Sequence, residues 1–394
     1  MSERLYAASD LYGFEELLTA AESAKLRALR ELLDAELRPV LPELWERAES
    51  PVFLRGPLRD LRLLDDPAIL GPSGEPRGLY NGFRAFEFSR LDIGTGMLFH
   101  GQVGMFRELV RQGGSPEQVA AWDADILSFR MTGCFALTEP GHGSDVARGL
   151  ETTARRDGDT WVLDGAKRWI GNAAHSEYVA VFARDVADGQ VKVFLARTDA
   201  PGLRLTTIER KIALRTVTNS DIAIDGVVVP ESHRLQGVNS FADVGRLFRT
   251  LRPDVAWIAA GAQAGAYEAA LAYTLEREQF GRPLAGFQLV QDKLVRMLGN
   301  VTASLAMAVR LAERRDAGIS RDEDSALAKV WIADRLRETV AWARELEGGN
   351  GIVVDNDVAR FFADAEAVYT YEGTREINTL VVGRAVTGLS AFVR

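Results

Sequence analysis

The chain has 394 residues, 47% hydrophobic and 26% charged, with a formal net charge of -9 from 47 Lys and Arg against 56 Asp and Glu. That length exceeds one simple core and calls for two or three subdomains. The acidic balance argues against a nucleic-acid partner, while leaving room for a basic pocket that takes a phosphorylated ligand. Cys134 is the only cysteine, so no disulfide framework is possible within the chain, and the four histidines, His100, His142, His175 and His233, lack metal-ligand spacing. No apolar run looks long enough to span a bilayer, the N-terminus lacks a basic-then-apolar leader, and Ala391-Phe392-Val393-Arg394 is not a peroxisomal address. A cytoplasmic protein with no metal and no membrane partner is the expectation.

The first region, residues 1–130, reads as helical. Thr19 and Glu22 form a capping box ahead of Leu26, Leu29, Leu32, Leu33 and Leu37 at helical spacing, and Pro39 closes or bends that helix. Val52 to Arg77 is rich in Pro, Gly and Asp and reads as loop with short helical pieces. Phe83 to Met105 is apolar with small residues and predicts one buried helix; Ser115-Pro116-Glu117 starts another.

Residues 131–236 change period. Asp157-Gly158, Asp164-Gly165, Asp188-Gly189 and Asp225-Gly226 are hairpin-turn dipeptides, and short β-branched and aromatic runs lie between them. They predict a small antiparallel sheet or barrel whose last strand stops at Pro230. Residues 237–394 are helical again. Leu294, Met297, Leu298, Val301 and Leu305 make a core-facing stripe, and the Ala- and Gly-rich stretch from Ala259 to Ala272 permits close helix contact. The fold class expected is α+β, mainly α: an N-terminal helical domain, a middle β domain and a C-terminal four-helix bundle.

Near the end stands Tyr369-Thr370-Tyr371-Glu372-Gly373-Thr374, a single carboxylate between an aromatic ring and a glycine. An aromatic wall that excludes water favours the protonated form of a carboxylate, which suits such a group to taking a proton from carbon. Glycine beside it lets a backbone N–H approach a ligand carbonyl. In isolation, a capped turn before the last helix explains the same residues.

Four further blocks change that balance: Thr138-Glu139-Pro140-Gly141-His142-Gly143-Ser144-Asp145, Lys167-Arg168-Trp169-Ile170-Gly171-Asn172, Arg277-Glu278-Gln279-Phe280-Gly281-Arg282-Pro283-Leu284, and Gly348-Gly349-Asn350-Gly351. In this order, with Tyr371-Glu372-Gly373-Thr374, the chain resembles the acyl-CoA dehydrogenase/oxidase family along nearly its whole length. It is most similar to the branch holding glutaryl-CoA dehydrogenase and the plant short-chain acyl-CoA oxidase.

The resemblance implies an FAD enzyme that converts a short-chain acyl-CoA to a trans-2-enoyl-CoA. Glu372 would take the α-proton, and hydride would pass from the β-carbon to the flavin. It assigns Leu137, Thr138, Trp169, Gly171 and Thr374 to the flavin ring and its surroundings, and Gly143 and Ser144 to the pyrophosphate. It assigns Arg277, Gln279, Phe280, Gly348 and Gly349 to the FAD of a neighbouring subunit, hence a homo-oligomer, commonly a tetramer. Ser144, Arg252, Tyr371 and Gly373 would contact the substrate. Electrons would go to an electron-transfer flavoprotein, or to O₂ if the protein is an oxidase. A flavin-free acyl-CoA-binding protein is the remaining reading. Two departures stand out. Gly171 replaces a Thr or Ser that bonds the flavin in many dehydrogenases, a feature shared with the plant oxidase. Gly96 falls where glutaryl-CoA dehydrogenase has an arginine that grips the distal carboxylate, so glutaryl-CoA is not expected as substrate.

Overall fold

Residues 4–392 are described by the computed structural model; residues 1–3 and the last two of the C-terminal tetrapeptide, Val393 and Arg394, lie outside it. Thr19 caps the Ala20–Leu32 helix through the expected reciprocal bonds with Glu22, and Leu26 and Leu29 are fully buried. A π-helical turn, Leu33–Leu37, ends this segment ahead of Pro39. The Pro- and Gly-rich stretch holds only short pieces, Val52–Leu54, Arg55–Asp60 and Pro67–Ile69.

The single helix expected from Phe83 to Met105 is interrupted. Gly78–Leu91 ends at Asp92, which has extended backbone and caps the next helix, Ile93–Phe99, by accepting the Thr95 N–H at 2.6 Å. A short acid that bonds its own backbone breaks a helix that apolar content alone would continue. Beyond Phe99 the coil widens into a π-helical segment, His100–Phe106.

Seven strands form one curled sheet: β1 (Gly133–Ala136), β2 (Thr153–Asp157), β3 (Thr160–Gly171), β4 (Tyr178–Asp185), β5 (Val191–Arg197), β6 (Leu203–Thr207) and β7 (Asn219–Pro230). Their order is β1-β4-β2-β3-β7-β6, with β5 on β4. The sheet is mixed rather than wholly antiparallel, because β1 and β2 both run parallel to β4. Asp157-Gly158 and Asp188-Gly189 make hairpin turns as expected. Asp164-Gly165 and Asp225-Gly226 do not: they lie inside β3 and β7, where the register slips between Leu163 and Gly165. The Asp164 carboxylate accepts the Gly226 N–H at 2.8 Å across that irregularity. A bulge needs the same positive-φ glycine as a hairpin, so the dipeptide alone does not distinguish them.

Four long helices, Phe241–Glu276, Gln288–Asp316, Asp322–Leu346 and Asp357–Thr370, and the shorter Arg375–Thr387 complete the chain. The stripe Leu294, Met297, Val301 and Leu305 is buried among them. Gly261 and Gly265 bring the first of these helices against Gly78–Leu91; a Cβ at either would come within 2.3 Å of a Phe86 or Arg90 backbone oxygen. Ion pairs lock the contact. Arg90 meets both Glu87 (3.1 Å) and Glu268 (2.7 Å), and Arg30 reaches Glu87 from the first helix (2.7 Å). One expectation needs correction: Gln288–Asp316 is long and apolar enough to cross a membrane by length and composition. Half of its apolar window is buried inside the protein, as in a core helix.

Candidate active site

Tyr371, Glu372 and Gly373 lie in the loop between Asp357–Thr370 and Arg375–Thr387. Glu372 has φ of 51°, a left-handed backbone that costs a non-glycine residue energy unless its surroundings impose it. They do. The buried Lys329 ammonium donates to the Tyr369 carbonyl (2.7 Å) and the Gly373 carbonyl (2.9 Å), one on each side. Asn378 Nδ2 donates to the Gly373 carbonyl as well (2.8 Å), and Thr374 Oγ1 accepts the Ile377 N–H as a helix cap (3.3 Å). Burial pulls Lys329 from 10.5 down to about 8, against the opposing charges of Glu372, Glu376 and Asp334. The Glu372 side chain is 15% exposed, its Oε1 is buried without a hydrogen-bond partner, and so is the Tyr371 hydroxyl.

Facing this loop is the π-helical segment, to which none of the motifs assigns a role. Its first three residues each join a different part of the site. His100 points to Glu372, Nε2 to Oε1 at 3.7 Å, too long for a hydrogen bond but close for an ion pair. Its Nδ1 lies 3.3 Å from Asp254 Oδ2. Burial alone would lower the imidazole pKa, but the two carboxylates flanking it more than reverse that and raise it from 6.5 to about 10. Gly101 lies against Asn172; a Cβ there would be 3.4 Å from its amide nitrogen. Gln102 donates to the Ile126 and Met131 carbonyls (2.8 Å each) and accepts the Gly133 N–H (3.1 Å), fixing the start of β1. Wide π turns recur at functional sites for this reason: they re-aim side chains that a regular helix would rotate away.

The far side of that segment carries Leu137, Thr138, Trp169 and Gly171, which the structure brings together. The end of β1 and the end of β3 are tied by Arg168 N–H to the Thr138 carbonyl (2.8 Å) and by Lys167 Nζ to the Leu137 carbonyl (3.2 Å). Beneath lies a buried pair, Lys167 Nζ to Glu139 Oε1 at 2.8 Å, with Glu139 also accepting the Glu151 and Thr152 N–H groups. Burial pulls Lys167 down to about 8 although Glu139 opposes it. Desolvation would raise Glu139, but Lys167 and those donors keep it below the usual carboxylate range. Both residues stood in the sequence motifs without a role; the structure makes them the clamp that aligns the two strand ends. Above it, the Trp169 indole is 51% exposed. A Cβ on Gly171 would meet nothing nearer than 3.7 Å, and Asn172 Oδ1 is buried with no donor. A half-exposed indole with the Arg168 guanidinium 5.2 Å over its ring, open space and an unsatisfied acceptor side by side fit a flat ring system.

The remaining sequence candidates, Arg252 apart, lie elsewhere. Gly143 and Ser144 are exposed in the loop after β1. Arg277, Gln279 and Phe280 are exposed on a two-stranded hairpin, with Phe280 94% exposed. Gly348 and Gly349 sit in an exposed turn beside the end of the same long helix, where Tyr273 OH donates to the Glu347 carbonyl (3.4 Å) and accepts from Asn350 (2.9 Å). Among the described residues, no hydrogen bond or ring contact joins these groups to Glu372 or Trp169. Arg252 stacks on Phe248 at 5.2 Å; burial lowers its pKa while the charges of Asp322 and Glu372 raise it.

Residues 134–227 match the middle domain of acyl-CoA dehydrogenases and residues 241–387 their C-terminal domain. The human short-chain specific acyl-CoA dehydrogenase is 30% identical over 91% of this chain and 88% of its own length. The chain belongs to the acyl-CoA dehydrogenase family. The solved glutaryl-CoA dehydrogenase of Mycobacterium smegmatis superposes with a TM-score of 0.91 at 35% identity, covering 98% of this chain and 99% of that one. A further structure of a glutaryl-CoA dehydrogenase from that organism, in complex with FADH2, gives 0.92 at 31% identity, covering 98% of this chain and 100% of its own. Within this family fold, the π-helical turn touches Glu372 through His100 and the end of the Trp169 strand through Gly101.

Proposed function

We infer that this acyl-CoA dehydrogenase uses FAD to convert a short-chain acyl-CoA to its trans-2-enoyl thioester, with Glu372 as the base. The observation that carries this reading is Glu372 Oε1, buried without a hydrogen-bond partner and with the His100 imidazole 3.7 Å away, on a loop braced from both sides. A proton next to a thioester carbonyl is weakly acidic. Its removal needs an acceptor shielded from water and a donor for the enolate oxygen. Among the described residues nothing accepts the Glu372 N–H, so that group is free to hold the thioester oxygen. One well-placed donor of this kind stabilises developing charge by roughly 3–4 kcal/mol. Tyr371 walls the site, Gly373 lets the thioester approach, and Ser144 and Arg252 serve the CoA side.

Leu137, Thr138, Trp169, Gly171 and Thr374 would hold the flavin ring, and Gly143 and Ser144 the pyrophosphate. FAD supplies what no side chain here can, a two-electron acceptor for the hydride from the β-carbon. Arg277, Gln279, Phe280, Gly348 and Gly349 would complete a neighbouring subunit's FAD site in a homotetramer. Phe280, Leu289 and Val386, each 78% or more exposed, support such covered faces. An electron-transfer flavoprotein would take the electrons, in the cytoplasm.

The test is Glu372→Gln. The variant should retain FAD and acyl-CoA binding while anaerobic flavin bleaching by butyryl-CoA slows about 10²–10⁴-fold; near-normal bleaching removes Glu372 from this role. Gly171 favours the oxidase reading, since no hydroxyl there restrains the reduced flavin. Peroxide released at the rate of butyryl-CoA consumption, with no gain from an artificial acceptor, would establish the oxidase instead.

A further inference from the structure

Among the described residues Glu372 has one partner at ion-pairing distance, and it is a histidine. The His100 imidazole stands between two carboxylates. Its Nε2 faces Glu372 Oε1 at 3.7 Å and its Nδ1 faces Asp254 Oδ2 at 3.3 Å. The residue is 6% exposed, and Nε2 is buried with no hydrogen-bond partner. The π-helical segment itself makes room for the ring: a Cβ on Gly104 would stand 2.3 Å from His100 Nδ1.

Ionised carboxylates only accept. A neutral imidazole has a single N–H, so it would serve one of these two and turn a lone pair on the other. The imidazolium donates towards both. Burial opposes that charge, yet the two carboxylates outweigh it and raise the ring to about 10. The other charges nearby are committed elsewhere. Arg315, on Gln288–Asp316, lies 3.7 Å from Asp254 Oδ1. Arg84, on Gly78–Leu91, shares with His100 and Asp254 a cavity that has room for about one water, and its charge acts on Asp254. On the other side of Glu372, the Lys329 ammonium bonds the Tyr369 and Gly373 carbonyls, and Arg252 stacks on Phe248. Burial and the Glu372 charge keep the Tyr371 hydroxyl protonated. Two arginines thus brace Asp254, and the imidazolium is left to Glu372.

We propose that His100, held by Asp254, is a positioning residue that keeps Glu372 a carboxylate when the bound thioester shuts water out of the site. The proposal rests on Glu372 being the base. An arriving acyl chain strips solvent from a side chain that is 15% exposed beforehand, and desolvation favours the protonated acid. A protonated acid takes no α-proton. A cation 3.7 Å away opposes that outcome. The distance is beyond hydrogen-bonding reach, so the ring supplies charge without occupying the Oε1 lone pair that must receive the proton. His100 exchanges no proton in the step. The α-proton moves to Glu372, the β-hydride to FAD, and the imidazolium keeps both N–H bonds.

The experiment follows anaerobic flavin reduction by butyryl-CoA on FAD-loaded protein from mildly acid to mildly alkaline pH. Wild type is compared with His100→Gln, Asp254→Asn and the double variant. His100→Gln should move the acid limb of the rate about 1–3 pH units upwards, the effect expected of removing an opposite charge this close. On that limb the variant is about 10- to 1,000-fold slower, and it converges on wild type at alkaline pH. Asp254→Asn keeps an acceptor for Nδ1 and removes a charge of the same sign as the base, so it should leave the limb in place or move it downwards. Damage to packing would slow both variants at every pH. An unmoved limb in His100→Gln, or an upward shift in both single variants, overturns the proposal. If His100→Gln does not hold FAD, the double variant, which leaves no unmatched carboxylate, is read in its place and should also shift upwards. Glu372→Gln separates the two assignments: normal reduction there removes the base, whereas a dead Glu372→Gln with unmoved limbs elsewhere rejects His100 alone.

Discussion

Replacing Lys329 by Met would separate the stability of the fold from the placement of the base. The ammonium bonds the carbonyls of Tyr369 and Gly373 at 2.7 and 2.9 Å. Hydrogen bonds from a charged donor contribute about 1.5–3 kcal/mol each, so about 3–6 kcal/mol is lost. Against this, burial has brought the ammonium from 10.5 to about 8. At ~1.4 kcal/mol per pH unit, the charged form costs about 3 kcal/mol, which Met recovers. The net loss of about 0–3 kcal/mol should lower Tm by a few degrees. The base suffers more. Glu372 sits in a left-handed backbone worth about 1–3 kcal/mol of strain, and Asn378 alone would then oppose its relaxation. Displacing a reacting group by about 1 Å costs about 10²-fold in rate. Thermal melts paired with anaerobic stopped-flow reduction by butyryl-CoA should show FAD retained, a small drop in Tm and reduction slowed about 100-fold. Reduction within about twofold of wild type would refute the argument that Lys329 positions the base.

Three further outcomes are expected. His100 has its pKa raised from 6.5 to about 10 in the folded protein, so the stability it adds is complete below 6.5 and is lost as pH rises to about 10. The Tm gap between wild type and His100→Gln should therefore be widest near the acid end of that window and close towards its alkaline end; a gap independent of pH would count against the ion pairs. Glu139→Gln leaves Lys167 buried without its partner and should cost about 3–5 kcal/mol, with FAD retention falling; Glu139→Gln combined with Lys167→Met should recover most of the stability in denaturant titrations. Gly171→Ser has room, its Cβ meeting nothing nearer than 3.7 Å. It should fold normally and lower the ratio of peroxide formed to dye reduced.

The parts legible in the sequence are those where local chemistry and structure coincide. The Thr19–Glu22 box, the leucine stripe of the third region and the motif blocks around Leu137, Trp169 and Glu372 each carry their signal within a few adjacent residues. Arg84, His100 and Asp254 carry none. Each stands on a different helical segment, and only the tertiary fold shows that they share a cavity. The π-helical segment was equally hidden, since residue types do not show how widely a helix winds. Asp164-Gly165 and Asp225-Gly226 show a different failure: one dipeptide serves two backbone geometries, and the choice is made by the strand opposite.

That π-helical segment also limits how this chain can change. It packs one more residue into a turn than an α-helix does, so deleting one residue between Phe99 and Phe106 would wind it back to regular spacing. Such a deletion would swing the histidine, the glycine and the glutamine off their three neighbours together, with no amino acid lost from any of the sequence motifs. Functional drift in relatives of this chain is therefore to be sought in gaps near this turn as well as in exchanged letters.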